Sequence, residues 1–137
     1  MNLSLNHCFL TVHDQDVALA FYTEVLGLEL RSDVPFDGMR WLTVGPASQP
    51  DLHIGLLMPG APWSPPEEVR AALDITAKGL MPGVIFLTPD VDALFAELSG
   101  KGVEVTQEPI DQPYGVRDCG FRDPSGNHLR FSQPVKS

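Results

Sequence analysis

The stretch that decides the fold is residues 6–30, NHCFLTVHDQDVALAFYTEVLGLEL, because most of it returns later in the chain. Its second copy is residues 83–105, GVIFLTPDVDALFAELSGKGVEV. The tripeptide Phe-Leu-Thr stands at 9–11 and again at 86–88, an offset of 77 positions (86 − 9). A repeat on this scale indicates two similar structural units, each too short to bury a sufficient core alone.

The offset changes along the two copies. Arg40 recurs as Arg117 at an offset of 77 (117 − 40), whereas Val17 recurs as Val91 at an offset of 74 (91 − 17). The second copy has therefore lost residues before its helix and regained them before its last strands. Such changes are typical of loops, while the strands keep their spacing.

Each copy is predicted to fold as a β-α-β-β-β unit, which gives the α+β class. Short or alternating apolar runs predict the strands, and a helix is expected between Asp14, a good N-cap, and Gly27. The predicted strands of the first unit are 5–12, 28–31, 39–44 and 52–58, with 32–38 as a turn-rich connection. The second unit is predicted to have strands at 84–88, 103–107, 115–121 and 128–132 and a helix at 91–99.

Residues 59–82 have no counterpart elsewhere in the chain. They begin Pro-rich, and the proline and acidic residues near 66 predict a helix over 66–78. We expect this linker to cross between the units, with its helix over a rim or against a partner subunit. The chain is predicted to be one domain of two modules, about 1–58 and 83–134.

Composition and charge limit the possible partners. The 137 residues are 43% hydrophobic and 20% charged, with no apolar run of about 20 residues, so no membrane partner is expected. A net charge of −9 disfavours a nucleic-acid partner. No charged leader precedes an apolar segment, which favours a cytoplasmic protein. Two cysteines fit neither a disulfide framework nor a zinc knuckle.

Three motifs together resemble the vicinal oxygen chelate superfamily, which includes glyoxalase I, fosfomycin- and bleomycin-resistance proteins and extradiol dioxygenases. They are NHCFLTV followed by FYTEVLGLEL, GVEV after the second helix, and FRDPSGNHLRF near the end. The resemblance implies that the paired units form a half-open cup around a ligand. It also implies a homodimer, although the cup could be completed within one chain or across two.

The resemblance places possible metal ligands at four positions, His7, His53, Val84 and Arg130. Both pairs are 77 apart (84 − 7 and 130 − 53), and strand alternation turns His7, His53 and Arg130 into the cup. A valine and a protonated guanidinium cannot ligate a metal, so no complete metal site and no cofactor are expected. A divalent zinc, nickel, iron or manganese ion at His7 and His53 is the alternative, with His128 as the one obvious extra ligand. The two imidazoles could equally be neutral groups hydrogen-bonded in a polar pocket.

Arg130 is predicted to need a negatively charged partner inside the cup. That partner could be Asp37, Glu24 or a glutamate of the linker helix, or an anionic ligand group held with help from Arg40 or Arg117. The other predicted ligand-binding residues line the cup or lie near it: Phe9, Trp41, Phe86, His128 and, in the linker, Trp63.

Two functions follow from the resemblance. The first is binding of a small organic molecule in the cup, as in bleomycin-resistance proteins, without a complete metal site. The alternative is a metal-dependent lyase or isomerase of the glyoxalase type that uses His7 and His53. Val84 and Arg130 count hardest against a dioxygenase. No nucleophile motif, phosphate loop or dinucleotide fingerprint supports another class of enzyme.

Overall fold

The computed structural model describes residues 1–60 and 63–134. The elements follow one another as β1 (His7–Thr11), α1 (Gln15–Ala20), β2 (Glu29–Phe36), β3 (Met39–Gly45), β4 (His53–Leu57), α2 (Pro66–Ala77), β5 (Val84–Leu87), α3 (Val91–Gly100), β6 (Glu104–Asp111), β7 (Val116–Arg122) and β8 (His128–Pro134). Helix α1 continues as a wider π-helical segment over Phe21–Val25. None of the described helices is long and apolar enough to cross a bilayer.

The strands form two four-stranded sheets, one for each copy of the repeat. Sheet A has the order β1-β4-β3-β2, and sheet B has the order β5-β8-β7-β6. In each sheet the first and last strands of the unit run parallel, and the other neighbours are antiparallel. Buried side chains from both sheets and their helices form one core cluster. This architecture confirms the predicted α+β fold of two tandem β-α-β-β-β modules.

Strand β2 extends through a proline, which the sequence prediction missed. Residues 32–38 were expected to form a connection, but β2 continues to Phe36, and Pro35 pairs with Arg40 of β3. A proline is tolerated here because β2 is the outer strand of sheet A. No strand lies beyond it to accept a hydrogen bond from an outward-facing backbone N–H. Asp37 and Gly38 then turn the chain with φ values of 51° and 75°. These values match the type I′ turn that suits a tight hairpin.

The turn between β7 and β8 joins the second module to the first. Asp123 in this turn accepts hydrogen bonds from the backbone of Asn127 at 2.8 Å and from the hydroxyl of Tyr22 at 2.6 Å. The side chain of Asn127 donates to the carbonyl of Thr11 at 2.8 Å. A side chain at Gly126 would overlap the backbone of α2, so the glycine lets the linker helix pack on the turn. The FRDPSGNHLRF motif therefore serves the packing of the two modules.

Candidate ligand-binding site

Strand pairing defines two faces of each sheet. In sheet A, His7 of β1 pairs with His53 of β4, and Cys8 pairs with Ile54. Paired residues point to the same side of a sheet, and successive residues alternate between sides. Cys8 and Ile54 pack in the core. The two histidines therefore lie on the opposite face, here called the open face.

In sheet B the position equivalent to His7 is Ile85. Arg130 of β8 pairs with Ile85, whereas Val84 pairs with the buried Leu129. The first strands of the two units are thus offset by 78 positions (85 − 7). The assignment of Val84 to the cup face is wrong, because a shift of one residue moves a strand's side chains to the other face.

Two further residues predicted to bind the ligand lie off the open face. Phe86 is on the core side of β5, where its ring stacks on Phe131 with centroids 5.5 Å apart. Arg117 points toward helix α3. Its guanidinium donates to both carboxylate oxygens of Asp92, each at 2.9 Å, and to one oxygen of Asp111 at 3.2 Å. Assigning Phe86 and Arg117 to the ligand site is therefore wrong, since both side chains lie on the core side of sheet B.

The structure brings His7 and His53 together. Their rings are stacked, with centroids 4.4 Å apart and planes inclined by 12°. Nδ1 of His53 lies 3.0 Å from the hydroxyl of Thr43, and Nδ1 of His7 lies 2.7 Å from the carboxamide oxygen of Asn6. Among the described residues, neither Nε2 atom has a hydrogen-bond partner. These contacts orient both rings and occupy one ring nitrogen of each.

Three more aromatic rings extend from the histidine pair across the open face of sheet A. Trp41 lies 6.0 Å from His7 and 5.7 Å from Phe9, and Phe36 lies 6.3 Å from Trp41. Phe9 and Phe36 are 54% and 64% exposed, so much of their ring surface has no protein contact. We call the five rings of His7, Phe9, Phe36, Trp41 and His53 the aromatic platform. It combines the predicted Phe9, Trp41 and two histidines with Phe36, whose place in β2 the sequence did not show.

Gly55 makes room for one ring of the platform. A Cβ atom at position 55 would overlap the ring of Phe9, which lies across the bare backbone of β4. The two residues are direct partners in the β1–β4 pairing. A glycine inside a strand often marks such a close approach. The position of Phe9 in the platform therefore requires a glycine at position 55.

Arg130 has a partner on its own sheet. Its Nη1 lies 3.2 Å from the carboxylate of Asp118 on β7 and donates to Oε1 of Gln107 at 2.9 Å. Asp118 is fully buried and also accepts hydrogen bonds from Gln107 at 2.7 Å and Gln112 at 2.9 Å. The prediction that Asp37, Glu24 or a linker glutamate pairs with Arg130 is wrong. The carboxylate beside Arg130 is that of Asp118, on the adjacent strand β7.

Asp118 is held as a carboxylate by this network. Burial alone would raise its pKa, but hydrogen bonds from Gln112 and Gln107 and the charge of Arg130 outweigh burial and lower the pKa below its usual value. A buried charge is tolerated when it is paired and hydrogen-bonded in this way. The open face of sheet B thus carries an ion pair between Arg130, at the position of His53, and Asp118 of the next strand.

His128 and Trp63, two other predicted site residues, are associated with the linker. Nε2 of His128 lies 2.6 Å from the carbonyl oxygen of Gly79, just after α2. His128 therefore anchors the end of the linker to sheet B. Trp63 lies before α2 and is 74% exposed.

The residues present do not fit a resident catalytic metal. With the strand register taken from the structure, the four ligand positions implied by the resemblance hold His7, His53, Ile85 and Arg130. Within 1–60 and 63–134, no three His, Cys, Asp or Glu side chains come together as a metal-binding group. Two imidazoles are one ligand short of the three that catalytic zinc takes from the protein.

Neither cysteine is prepared to act as a nucleophile. Burial raises the pKa of the Cys8 thiol above its usual value. Burial, followed by the nearby carboxylate of Asp118, raises the pKa of Cys119 to about 11. Reactive cysteines have a lowered pKa instead, because the thiolate is the attacking species.

Comparison with known proteins identifies the family. The model of the Glyoxalase/Bleomycin resistance protein/Dioxygenase superfamily matches residues 4–131. The crystal structure of UcmS2 is 38% identical, with a TM-score of 0.88 over 96% of this chain and 98% of that chain. That of TnmS3, an antibiotic binding protein from Streptomyces sp. CB03234, is 34% identical, with a TM-score of 0.77 over 98% and 99%. The uncharacterized protein YurT of Bacillus subtilis strain 168 is 34% identical over 122 residues, 89% of this chain and 92% of YurT. The chain therefore belongs to the Glyoxalase/Bleomycin resistance protein/Dioxygenase superfamily.

Proposed function

We propose that the protein binds a small, planar aromatic molecule on the aromatic platform of sheet A. The observation that carries this proposal is the set of five rings on one open face, two of them more than half exposed. Aromatic side chains favour stacked or edge-to-face contacts with other rings, and ligand sites are generally apolar with few polar groups. TnmS3 is described as an antibiotic binding protein, which supports a small organic ligand for this chain as well.

We further propose that two chains complete each site. Among the described residues, no hydrogen bond, ion pair or ring contact joins the platform to Arg130. Strands β1 and β5 are outer strands of their sheets, and a cavity of about 530 Å³ lies between them. Ile85 and Leu87 on β5 are 67% and 77% exposed. Unpaired strand edges with exposed apolar side chains are typical of surfaces that a partner covers.

The metal-dependent alternative has weaker support. The described residues offer two neighbouring imidazoles at the family positions but no third ligand beside them. Arg130, at the fourth position, is engaged by Asp118. We therefore propose a binding protein and assign no reaction to His7 and His53.

Titration with N-phenyl-1-naphthylamine, a neutral fluorescent probe with planar rings, tests the proposed function. Trp41→Ala is expected to weaken binding of the probe about tenfold or more, because a lost ring contact and its buried area together exceed about 1.4 kcal/mol. Trp63→Ala is the matched control, since this tryptophan lies in the linker and not on the platform. Equal affinities for the two variants would contradict the proposal.

A further inference from the structure

We propose that Asp118 makes the ligand site select neutral aromatic molecules over anionic ones, by cancelling the charge of Arg130. This inference rests on the proposed function and adds the charge class of the ligand. It also names a specificity-determining residue that acts through another residue rather than by contact with the ligand.

Arg130 is placed to contact a ligand. It lies on the open face of sheet B, at the position that His53 occupies in sheet A. Its partner on the adjacent strand β5 is the exposed Ile85. Its side chain is 38% exposed. A cavity of about 230 Å³ adjoins it, lined by Ile85, Thr106, Gly120 and His128. The guanidinium therefore borders a space that a small molecule could enter.

The carboxylate of Asp118 is fixed beneath this guanidinium. Its Oδ1 accepts from Gln107 at 2.7 Å and Gln112 at 2.9 Å, and its Oδ2 lies 3.2 Å from Arg130 and 3.3 Å from the hydroxyl of Tyr114. Because the carboxylate is buried and fully engaged, it cannot turn away when a ligand arrives. The pair therefore presents almost no net charge to the space above it.

The pair still offers hydrogen-bond donors. Nη1 of Arg130 is used by Gln107 and Asp118, while Nε and Nη2 have no hydrogen-bond partner among the described residues. A guanidinium donates through five N–H groups and accepts nothing. The ligand best suited to this face is therefore a neutral aromatic molecule with a hydrogen-bond acceptor on its edge. An anion would gain little, because the negative charge of Asp118 opposes the attraction of Arg130.

A pair of matched probes tests this directly. N-Phenyl-1-naphthylamine and 8-anilinonaphthalene-1-sulfonate share one ring skeleton and differ by a sulfonate, so the ratio of their dissociation constants reports charge preference. Asp118→Asn is expected to shift this ratio toward the sulfonate at least about tenfold, which is about 1.4 kcal/mol. Arg130→Gln is expected to shift the ratio the other way, because it leaves the carboxylate unopposed. The double variant should return close to the wild-type ratio.

The ratio separates charge selection from a structural role. A variant that kept its native fold and changed only the shape of the site would alter the binding of both probes alike and leave the ratio unchanged, which would overturn the inference. Arg130→Gln alters a partly exposed side chain, so it keeps the test decisive even where Asp118→Asn does not fold. Weak binding of the neutral probe to the wild-type protein would count against the proposed function. Tight neutral binding with an unchanged ratio in both variants would overturn this inference alone.

Discussion

Asp118 and Arg130 show what residue-level reasoning could and could not find. Arg130 stands out in the sequence, because a cation facing a cup must be paired. Its partner is twelve positions away (130 − 118), on the antiparallel neighbour β7, and comes into reach only through the pairing of Asp118 with Ser132. Arg117, the adjacent residue, points the opposite way to Asp92. Sequence reasoning identified the need for a carboxylate but lacked the register that selects it.

Tyr22 gives a testable prediction at the same scale. It is fully buried and donates to Asp123 across the two modules. Burial, and then the neighbouring Asp123 carboxylate, raises the pKa of Tyr22 far above its usual value near 10. The neutral phenol is therefore favoured in the folded state. The stability that this preference adds to the folded state is complete below about pH 10. It is lost as the pH rises further, because only the unfolded tyrosine then ionises.

Tyr22→Phe is expected to lower the free energy of unfolding at pH 7 by about 1.5 to 3 kcal/mol, the usual value of a hydrogen bond to a charged group. It should also lose less stability than the wild type between about pH 9.5 and pH 11. Urea unfolding at several pH values measures both effects. Tyr114→Phe, which removes the other tyrosine hydroxyl of the chain, 3.3 Å from Asp118, is the comparison for the alkaline dependence. An unchanged alkaline dependence in Tyr22→Phe would contradict this account.

At the scale of elements, the order of strands and helices could be predicted, while one strand register could not. Asp14 caps α1 as expected, accepting from the backbone of Asp16 and Val17. The short strand β5 reads VIFL, which is apolar at every position. Alternation cannot orient a strand whose two faces are equally apolar. The repeated Phe-Leu-Thr favours an offset of 77 for β5, which wrongly assigns Val84 and Phe86 to the cup face.

Two neighbouring substitutions test the register of β5. Val84→Asn is expected to destabilise the protein by about 1 to 3 kcal/mol or more, because it places an amide among core side chains. Ile85→Asn should change the stability of the isolated chain by less than about 0.5 kcal/mol, since Ile85 is mostly exposed there. Thermal unfolding at low protein concentration compares the two. The reverse order of effects would restore the offset of 77 and contradict the open face described above.

At the scale of the whole molecule, each chain carries two open faces. Among the described residues, no hydrogen bond, ion pair or ring contact joins the aromatic platform of sheet A to Arg130 of sheet B. The modules are instead joined behind the sheets, through the turn at 123–127 and helix α2. This arrangement leaves apolar side chains of β5 exposed in one chain. Pairing of the platform of one protomer with sheet B of its partner would cover them and bring Arg130 to the ligand.

Sedimentation equilibrium tests the proposed assembly. The wild type is expected to behave as two chains of 15.0 kDa each. Leu87→Glu should shift the equilibrium toward the single chain, because it places a charge on the edge of β5. Val17→Glu on helix α1 is a control at another exposed apolar position. A wild-type protein that sediments as a single chain at all concentrations would contradict the two-chain site.

The most direct test of the central claim is the NMR spectrum of the four histidine rings during titration with N-phenyl-1-naphthylamine. Ring-proton signals of His7 and His53, assigned through His7→Gln and His53→Gln, are expected to shift as the aromatic probe stacks on the platform. Signals of His13, which bonds to a backbone carbonyl of helix α2, should hardly move. Saturation of the probe with His7 and His53 unshifted would place the ligand elsewhere and contradict the account.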